Sequence, residues 1–211
     1  MTQDLVVIGC GGFGREVADV VDAINHMSPT WNFIGFVDDA PSLENVGRVE
    51  QRGSRVIGGL DGVSPASPPR FVVGVGDAGA RARLAALAES NGWIPTTLVH
   101  PTAALGANLQ LGPGSIVCAH VAIGSDVSIG RHVHLDRGVQ VGHDSVLADF
   151  VTAHPAAVIS GSCGIEEGAE LGTNCTLLPG ITVGERAIVG AAACVTKDVA
   201  SGLTVRGVPA R

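Results

Sequence analysis

Aromatic residues make up only 3% of the chain and Tyr is absent, which excludes a core built on ring packing and the stacked platforms that bind single-stranded nucleic acid. Cations are scarce as well, with 13 Lys and Arg against 20 Asp and Glu and a net charge of -7. Nucleic acid and anionic membranes are bound by clustered Lys and Arg, so neither is an expected partner. The five cysteines, Cys10, Cys118, Cys163, Cys175 and Cys194, are odd in number and far apart, without a CxxC or a Cys/His ligand spacing. They read as reduced thiols in a cytoplasmic protein, and no metal site is expected. Long hydrophobic runs are missing too, since Gly or charge interrupts each one well short of the roughly 20 residues a membrane span needs. The opening MTQDLVVIG carries no basic export segment.

What the chain has in excess is glycine, 30 residues in 211, beside an apolar fraction of 45%. That is enough for one large folded domain or two smaller ones. The second half is strictly periodic. Stepping six residues at a time from Val99 to Val195 meets seventeen positions, of which all but Ala153 are Leu, Ile or Val. The next residue is often Gly (Gly106, Gly112, Gly124, Gly130, Gly142, Gly172, Gly184, Gly190), and the fifth place is small or β-branched, as at Ser115, Val127, Cys163, Ala187 and Ala193. A helix cannot carry this period with so much Gly and β-branching, whereas short strands that turn a corner every hexad can. Three hexads close a triangular coil, and successive coils stack at about 4.8 Å with the aliphatic side chains inside and Gly easing the corners. About five coils are expected, without an inserted loop.

Residues 1–97 follow another pattern. Leu5-Val6-Val7-Ile8 reads as a buried strand, followed by the glycine turn Gly9-Cys10-Gly11-Gly12-Phe13-Gly14 and a helical run from Arg15 to Val21. A second strand, Phe33 to Val37, ends in Asp38-Asp39, and a third, Phe71 to Val75, ends in Gly76-Asp77 before a helix from about Ala80 to Glu89. This βαβ…βα order predicts a small Rossmann-like parallel sheet whose ligand sits beyond the carboxyl ends of its strands. There the glycines admit backbone N–H groups to a diphosphate, and Asp38 or Asp39 accepts hydrogen bonds from a ribose or base.

The hexads of residues 98–211, with the ending Thr204-Val205-Arg206-Gly207-Val208-Pro209-Ala210-Arg211, resemble the left-handed parallel β-helix of the hexapeptide-repeat acyltransferases. Joined to the glycine turn, they make the whole chain similar to the bacterial family of sialic acid O-acetyltransferases and UDP-4-amino-sugar N-acetyltransferases. The resemblance implies a sugar-nucleotide site at Gly11, Gly12, Phe13, Asp38, Asp39, Gly76, Asp77 and Arg81. Phe13 stands where several amino-sugar members carry His. It further implies acetyl-CoA as acyl donor, a pantetheine arm crossing near Thr173 and Ala191, and a homotrimer with its active sites between neighbours.

Acyl transfer to an amine or hydroxyl needs a base and a donor for the developing oxyanion. Among the seven histidines, His143 in Val141-Gly142-His143-Asp144 has an acidic neighbour at a corner and matches the family's catalytic motif. One coil further on stands Gly161, with no side chain above the imidazole. The resemblance gives its N–H to the acetyl carbonyl, while Asp144 orients or strengthens the base. His154 lies one coil above Asp136 and is the rival. Thr152 and Asp136 occupy places where family members often have His, contacting acetyl-CoA, and Asn. The expected activity is N-acetylation of a UDP-linked amino sugar. O-acetylation of a sugar or sialic acid, and a silent sugar-nucleotide-binding trimer, are the alternatives.

Overall fold

The computed structural model of the chain describes residues 2–60 and 68–211. Two compact units result, Met1–Pro101 and Thr102–Arg211.

In the first unit, strand β1 (Gln3–Ile8) lies at the centre of a parallel sheet of order β2-β1-β3-β4, beside β2 (Trp31–Val37), β3 (Arg70–Val73) and β4 (Ile94–Pro95). Its Leu5, Val6, Val7 and Ile8 are buried, as a strand covered on both faces requires, and this is why their sequence is continuously apolar rather than alternating. Helix α1 (Gly12–Met27) starts inside the glycine turn and runs longer than the sequence pattern predicts, and α3 (Ala78–Ser90) follows β3. A further helix, α2 (Leu43–Gln51), was not expected; Ser42 caps it by accepting a hydrogen bond from the Asn45 N–H. The β4 strand was not anticipated either.

Among the described residues, two-residue strands from β5 (Leu98–Val99) to β22 (Thr204–Val205) form three parallel sheets of seven, six and five members. These make six turns of a solenoid rather than five, because β22 lies beyond the last hexad. Partners stand one coil apart, as where Gln140 and Val141 pair with Val158 and Ile159. From Val117 to Val195 every position of the aliphatic series is buried, and so is the fifth place of each hexad, so each side of the triangle sends two residues inward. Leu105, nearer the start of the series, is 46% exposed.

The corners correct the expectation about glycine. Every sixth residue from Asn108 to Ala192 has a positive φ, yet only Gly114, Gly138, Gly168 and Gly180 of these are glycines. The glycines that follow the aliphatic positions do something else. A Cβ on Gly142 would stand 2.8 Å from Gly161 Cα, and one on Gly124 would stand 2.7 Å from the His143 backbone nitrogen. Their missing side chains let one coil lie directly on the next.

Candidate active site

The corner after β12 (Gln140–Val141) presents His143, whose side chain is 69% exposed, and Asp144. The two are adjacent in sequence but meet, because Asp144 takes the left-handed conformation at φ 58°. Its Oδ2 lies 2.6 Å from His143 Nδ1. With Nδ1–H donating to the carboxylate, the lone pair falls on Nε2 at the outer edge of the ring. One coil above, the corner after β15 (Val158–Ile159) brings Gly161 onto that edge. A Cβ there would lie 2.7 Å from both Cε1 and Nε2.

The backbone of Gly161 contributes a second feature. At the same place of two other hexads the corner N–H is capped by a carboxylate from a neighbouring coil, where Asp149 Oδ1 receives the Arg131 N–H at 2.8 Å and Glu166 Oε2 receives that of Glu185 at 2.9 Å. Among the described residues, no acceptor is bound to the Gly161 N–H. An amide donor and an imidazole nitrogen therefore share one exposed corner, the pair of functions that acyl transfer demands.

The remaining residues expected at the reaction centre occupy a different vertex of the triangle. Asp136, Thr152, His154, Thr173 and Ala191 all lie at or beside the corner between the seven-stranded and six-stranded sheets. There His154 does not turn to Asp136. Its Nε2 lies 2.7 Å from Glu170 Oε1, and Asp136 instead accepts the Arg137 N–H at 2.6 Å. The offset to Glu170 is 16 residues rather than one full coil, so the vertical alignment used for Asp136 missed it. Asp136 and Thr152 are both buried, while Thr173 and Ala191 are exposed. Of the other solenoid histidines, His132 stacks on Phe150 with centroids 5.5 Å apart and His134 is buried. No group of three or more His, Cys, Asp or Glu able to hold a metal occurs among the described residues.

In the first unit, the loops after β1, β2 and β3 line a cleft of about 210 Å³ that includes Gly9, Asp38, Asp39, Leu60 and Val75. The glycine turn divides its labour. A Cβ on Gly9 would stand 2.7 Å from Val75 Cγ2, and one on Gly14 would strike the Gly9 carbonyl, whereas above Gly11 and Gly12 there is open space. Helix α1 also begins without a side-chain cap or an acidic residue in its first turn. The start of the helix thus has no carboxylate of its own to meet the positive end of its dipole. Phe13 is the second residue of this helix.

The acidic residues are largely committed to the loops themselves. Asp38 accepts the N–H groups of Cys10 at 3.0 Å and Ala40 at 3.1 Å, and so ties the second loop to the glycine turn. Asp39 Oδ1 accepts the Leu60 N–H at 3.0 Å. Asp77 caps α3 through the Ala80 N–H, beside the exposed Gly76. Arg81 was expected to face a ligand, but it is fully buried and its Nη1 donates to the carbonyls of Val75 and Gly76. Its charge shapes the loop from beneath. Sequence reading missed Arg15, which donates to the Cys10 carbonyl at 2.9 Å and to Asn45 Oδ1 at 2.7 Å, fastening α2 to the turn.

Residues 4–87 match the PglD N-terminal domain family. The GDP-perosamine N-acetyltransferase of Escherichia coli O157:H7 is 29% identical, with 97% of this chain and 94% of the relative covered. The acetyltransferase domain of PglB from Neisseria gonorrhoeae FA1090 superposes with a TM-score of 0.89 at 30% identity, covering 100% of this chain and 99% of the other. PerB from Caulobacter crescentus, solved in complex with CoA and GDP-perosamine, superposes with a TM-score of 0.85 at 30% identity and covers 99% and 96%. The chain is a hexapeptide-repeat acyltransferase. Three of its cysteines are poor candidates for a covalent acyl carrier in this acyltransferase, because a thiol attacks as its thiolate. Burial, aided by the Asp38 carboxylate, pushes Cys10 up to about 11, and burial pushes Cys175 up to about 12 and raises Cys163 as well.

Proposed function

We propose that this acyltransferase moves an acetyl group from acetyl-CoA to the amine of a nucleotide-linked amino sugar by direct attack on the thioester, with His143 as general base. The observation that carries the reading is the His143 ring set against Gly161, with Nδ1 held by Asp144 and the Gly161 N–H uncapped. His143 Nε2 takes a proton from the attacking amine, whose nitrogen bonds to the thioester carbon. The carbonyl oxygen becomes an oxyanion at the Gly161 N–H. When the tetrahedral intermediate collapses, the C–S bond breaks and the proton passes from His143 to the departing sulfur, giving CoA thiol and an amide. Asp144 holds the tautomer throughout and balances the imidazolium charge.

The nucleotide end of the acceptor rests on the first unit. Its diphosphate meets the N–H groups at Gly11 and Gly12, where no Cβ intervenes, and the free oxygen of Asp39 faces the sugar or base. The resemblance in sequence suggests UDP, whereas the Escherichia coli relative is a GDP-perosamine N-acetyltransferase and PerB was solved with GDP-perosamine, and both carriers belong in the assay. Support for an amine over a hydroxyl acceptor comes from those N-acetylating relatives.

A single chain holds His143 at one vertex and Thr173 and Ala191 at another. A homotrimer in which the vertices of neighbouring chains meet would complete the CoA site. The test is CoA-thiol release from acetyl-CoA with UDP- and GDP-linked amino sugars, UDP-sugars and sialic acids, for wild type and His143→Ala. Release with amino sugars alone, abolished in the variant, is the expected result. Turnover only with hydroxyl acceptors would replace N-acetylation by O-acetylation.

A further inference from the structure

We infer that Ser145 is a positioning residue that sets the spacing between His143 and Gly161, an inference that rests on the reading of that corner as the reaction centre. Ser145 occupies the inward-facing fifth place of its hexad and is fully buried. Comparable places around it hold apolar side chains, among them Val127, Val139 and Val151. A hydroxyl in such a place costs free energy unless its hydrogen bonds are made.

Those bonds all reach the two strands of backbone that form the corner. Ser145 Oγ accepts the Cys163 N–H at 3.2 Å, and its proton is shared between the carbonyls of Ser160 at 3.2 Å and His143 at 3.4 Å. The His143 carbonyl also receives the Ser162 N–H at 2.7 Å. The segment that carries Gly161 is thus held on both flanks, at Ser160 and at Cys163, by one side chain rooted two residues from His143. A single Cβ on Gly161 would already overlap the imidazole, so the gap there has no room to spare. A change in coil spacing at this level translates directly into the distance between base and thioester.

The molecule contains its own control. Ser115 makes the same arrangement on another side of the triangle, donating to the Gly130 carbonyl at 2.8 Å and accepting the Val133 N–H at 3.0 Å. It lies at a corner with no role in the proposed chemistry. The next place above Ser145 is taken by Cys163, whose Sγ lies 3.3 Å from the Leu178 carbonyl, so a thiol fits this column and reaches the equivalent acceptor.

The experiment compares Ser145→Val, Ser145→Cys and Ser115→Val in the full chain. Valine keeps the interior filled but leaves the Ser160 carbonyl and the Cys163 N–H without their partner. Ser145→Val is expected to lower kcat by about tenfold or more at near-constant KM for acetyl-CoA, the signature of a displaced reacting group. Ser145→Cys is expected to recover most of that loss, and Ser115→Val is expected to lose stability without losing kcat. Equal kcat losses in the two valine variants, or a wild-type kcat in Ser145→Val, would overturn the proposal. Should Ser145→Val not fold, Ser145→Ala takes its place, with rescue by cysteine still required. A readout independent of turnover is the NMR signal of the His143 ring, which shifts in Ser145→Val and stays put in Ser115→Val. If wild type releases no CoA with any acceptor, the reading of the corner has failed, and an unmoved ring signal would then reject the role of Ser145 separately.

Discussion

A Cβ built on Gly161 would stand 2.7 Å from both Cε1 and Nε2 of His143, closer than non-bonded carbon and nitrogen approach. Gly161→Ala must therefore push the imidazole aside while keeping the backbone N–H. A displacement of about 1 Å at a reacting group costs on the order of a hundredfold in rate. We expect that loss in kcat, with CoA affinity by calorimetry nearly unchanged.

Asp144 combines a charge with a left-handed backbone at φ 58°, and two substitutions separate these contributions. Asn adopts this conformation readily, so Asp144→Asn keeps the melting temperature while removing the carboxylate that balances the imidazolium. A drop of about ten- to a hundredfold in kcat is expected, the scale of a lost charge-assisted hydrogen bond of about 1.5–3 kcal/mol. Asp144→Val adds a backbone penalty of about 1–2 kcal/mol, visible as a lower urea midpoint that Asp144→Asn does not show.

The glycine turn yields a contrast between neighbours. Gly14→Ala would drive its Cβ into the Gly9 carbonyl, whereas Gly12→Ala meets nothing within 4 Å. The first variant should unfold the N-terminal unit or melt well below wild type in a thermal scan. The second should fold normally and lose affinity for the nucleotide sugar. Equal affinity in Gly12→Ala would remove the diphosphate from the turn.

Arg81→Met tests whether the buried guanidinium acts on structure or on ligand. Leaving the Val75 carbonyl without this donor costs about 1–3 kcal/mol, whereas the carbonyl of the exposed Gly76 can turn to water. Urea unfolding should show a loss of that order. Nucleotide-sugar affinity, measured at a temperature where the variant is folded, should fall far less than in Gly12→Ala.

Alkaline pH should destabilise the fold through its buried thiols. Cys10 and Cys175 are raised from the ordinary 9.0 to about 11 and about 12, so the unfolded chain loses these protons first. The stabilisation is complete below pH 9.0 and is lost as pH climbs towards 11 and 12. In that window each thiol removes about 1.4 kcal/mol per pH unit. Cys175→Ala, which places at this position the residue already found inside at Ala157 and Ala193, should flatten the decline measured by urea unfolding between pH 8.5 and 10.5 by about that amount.

The solenoid was legible because its interior admits aliphatic residues at fixed intervals, and the His143–Gly161 stack followed from counting one coil along. Other contacts escaped because they are set by side-chain reach rather than by period. His154 passes over Asp136 to Glu170 since a two-residue offset along the neighbouring strand suits its ring, and no spacing rule announces that. The burial of Arg81 could not be seen, because a cation after a loop reads the same whether it faces a phosphate or two carbonyls. Ser145 looked like any small fifth-place residue; its hydroxyl among valines was the only signal. Helix α2 did carry a sign in Ser42 and Glu44, a cap followed by an acidic first turn, but its single buried residue, Val49, gave no apolar stripe.

The unbroken series of left-handed corners from Asn108 to Ala192 gives the rod something like a reading frame. Deleting one residue within it would shift every later side chain to the wrong part of its triangle, sending aliphatic residues outward and corner residues inward. Removing six would restore the inside and outside but rotate everything downstream onto the next face. Only a whole coil can be added or lost in phase, and an insertion of that size between His143 and Gly161 would still leave each of them at the same vertex, facing different neighbours.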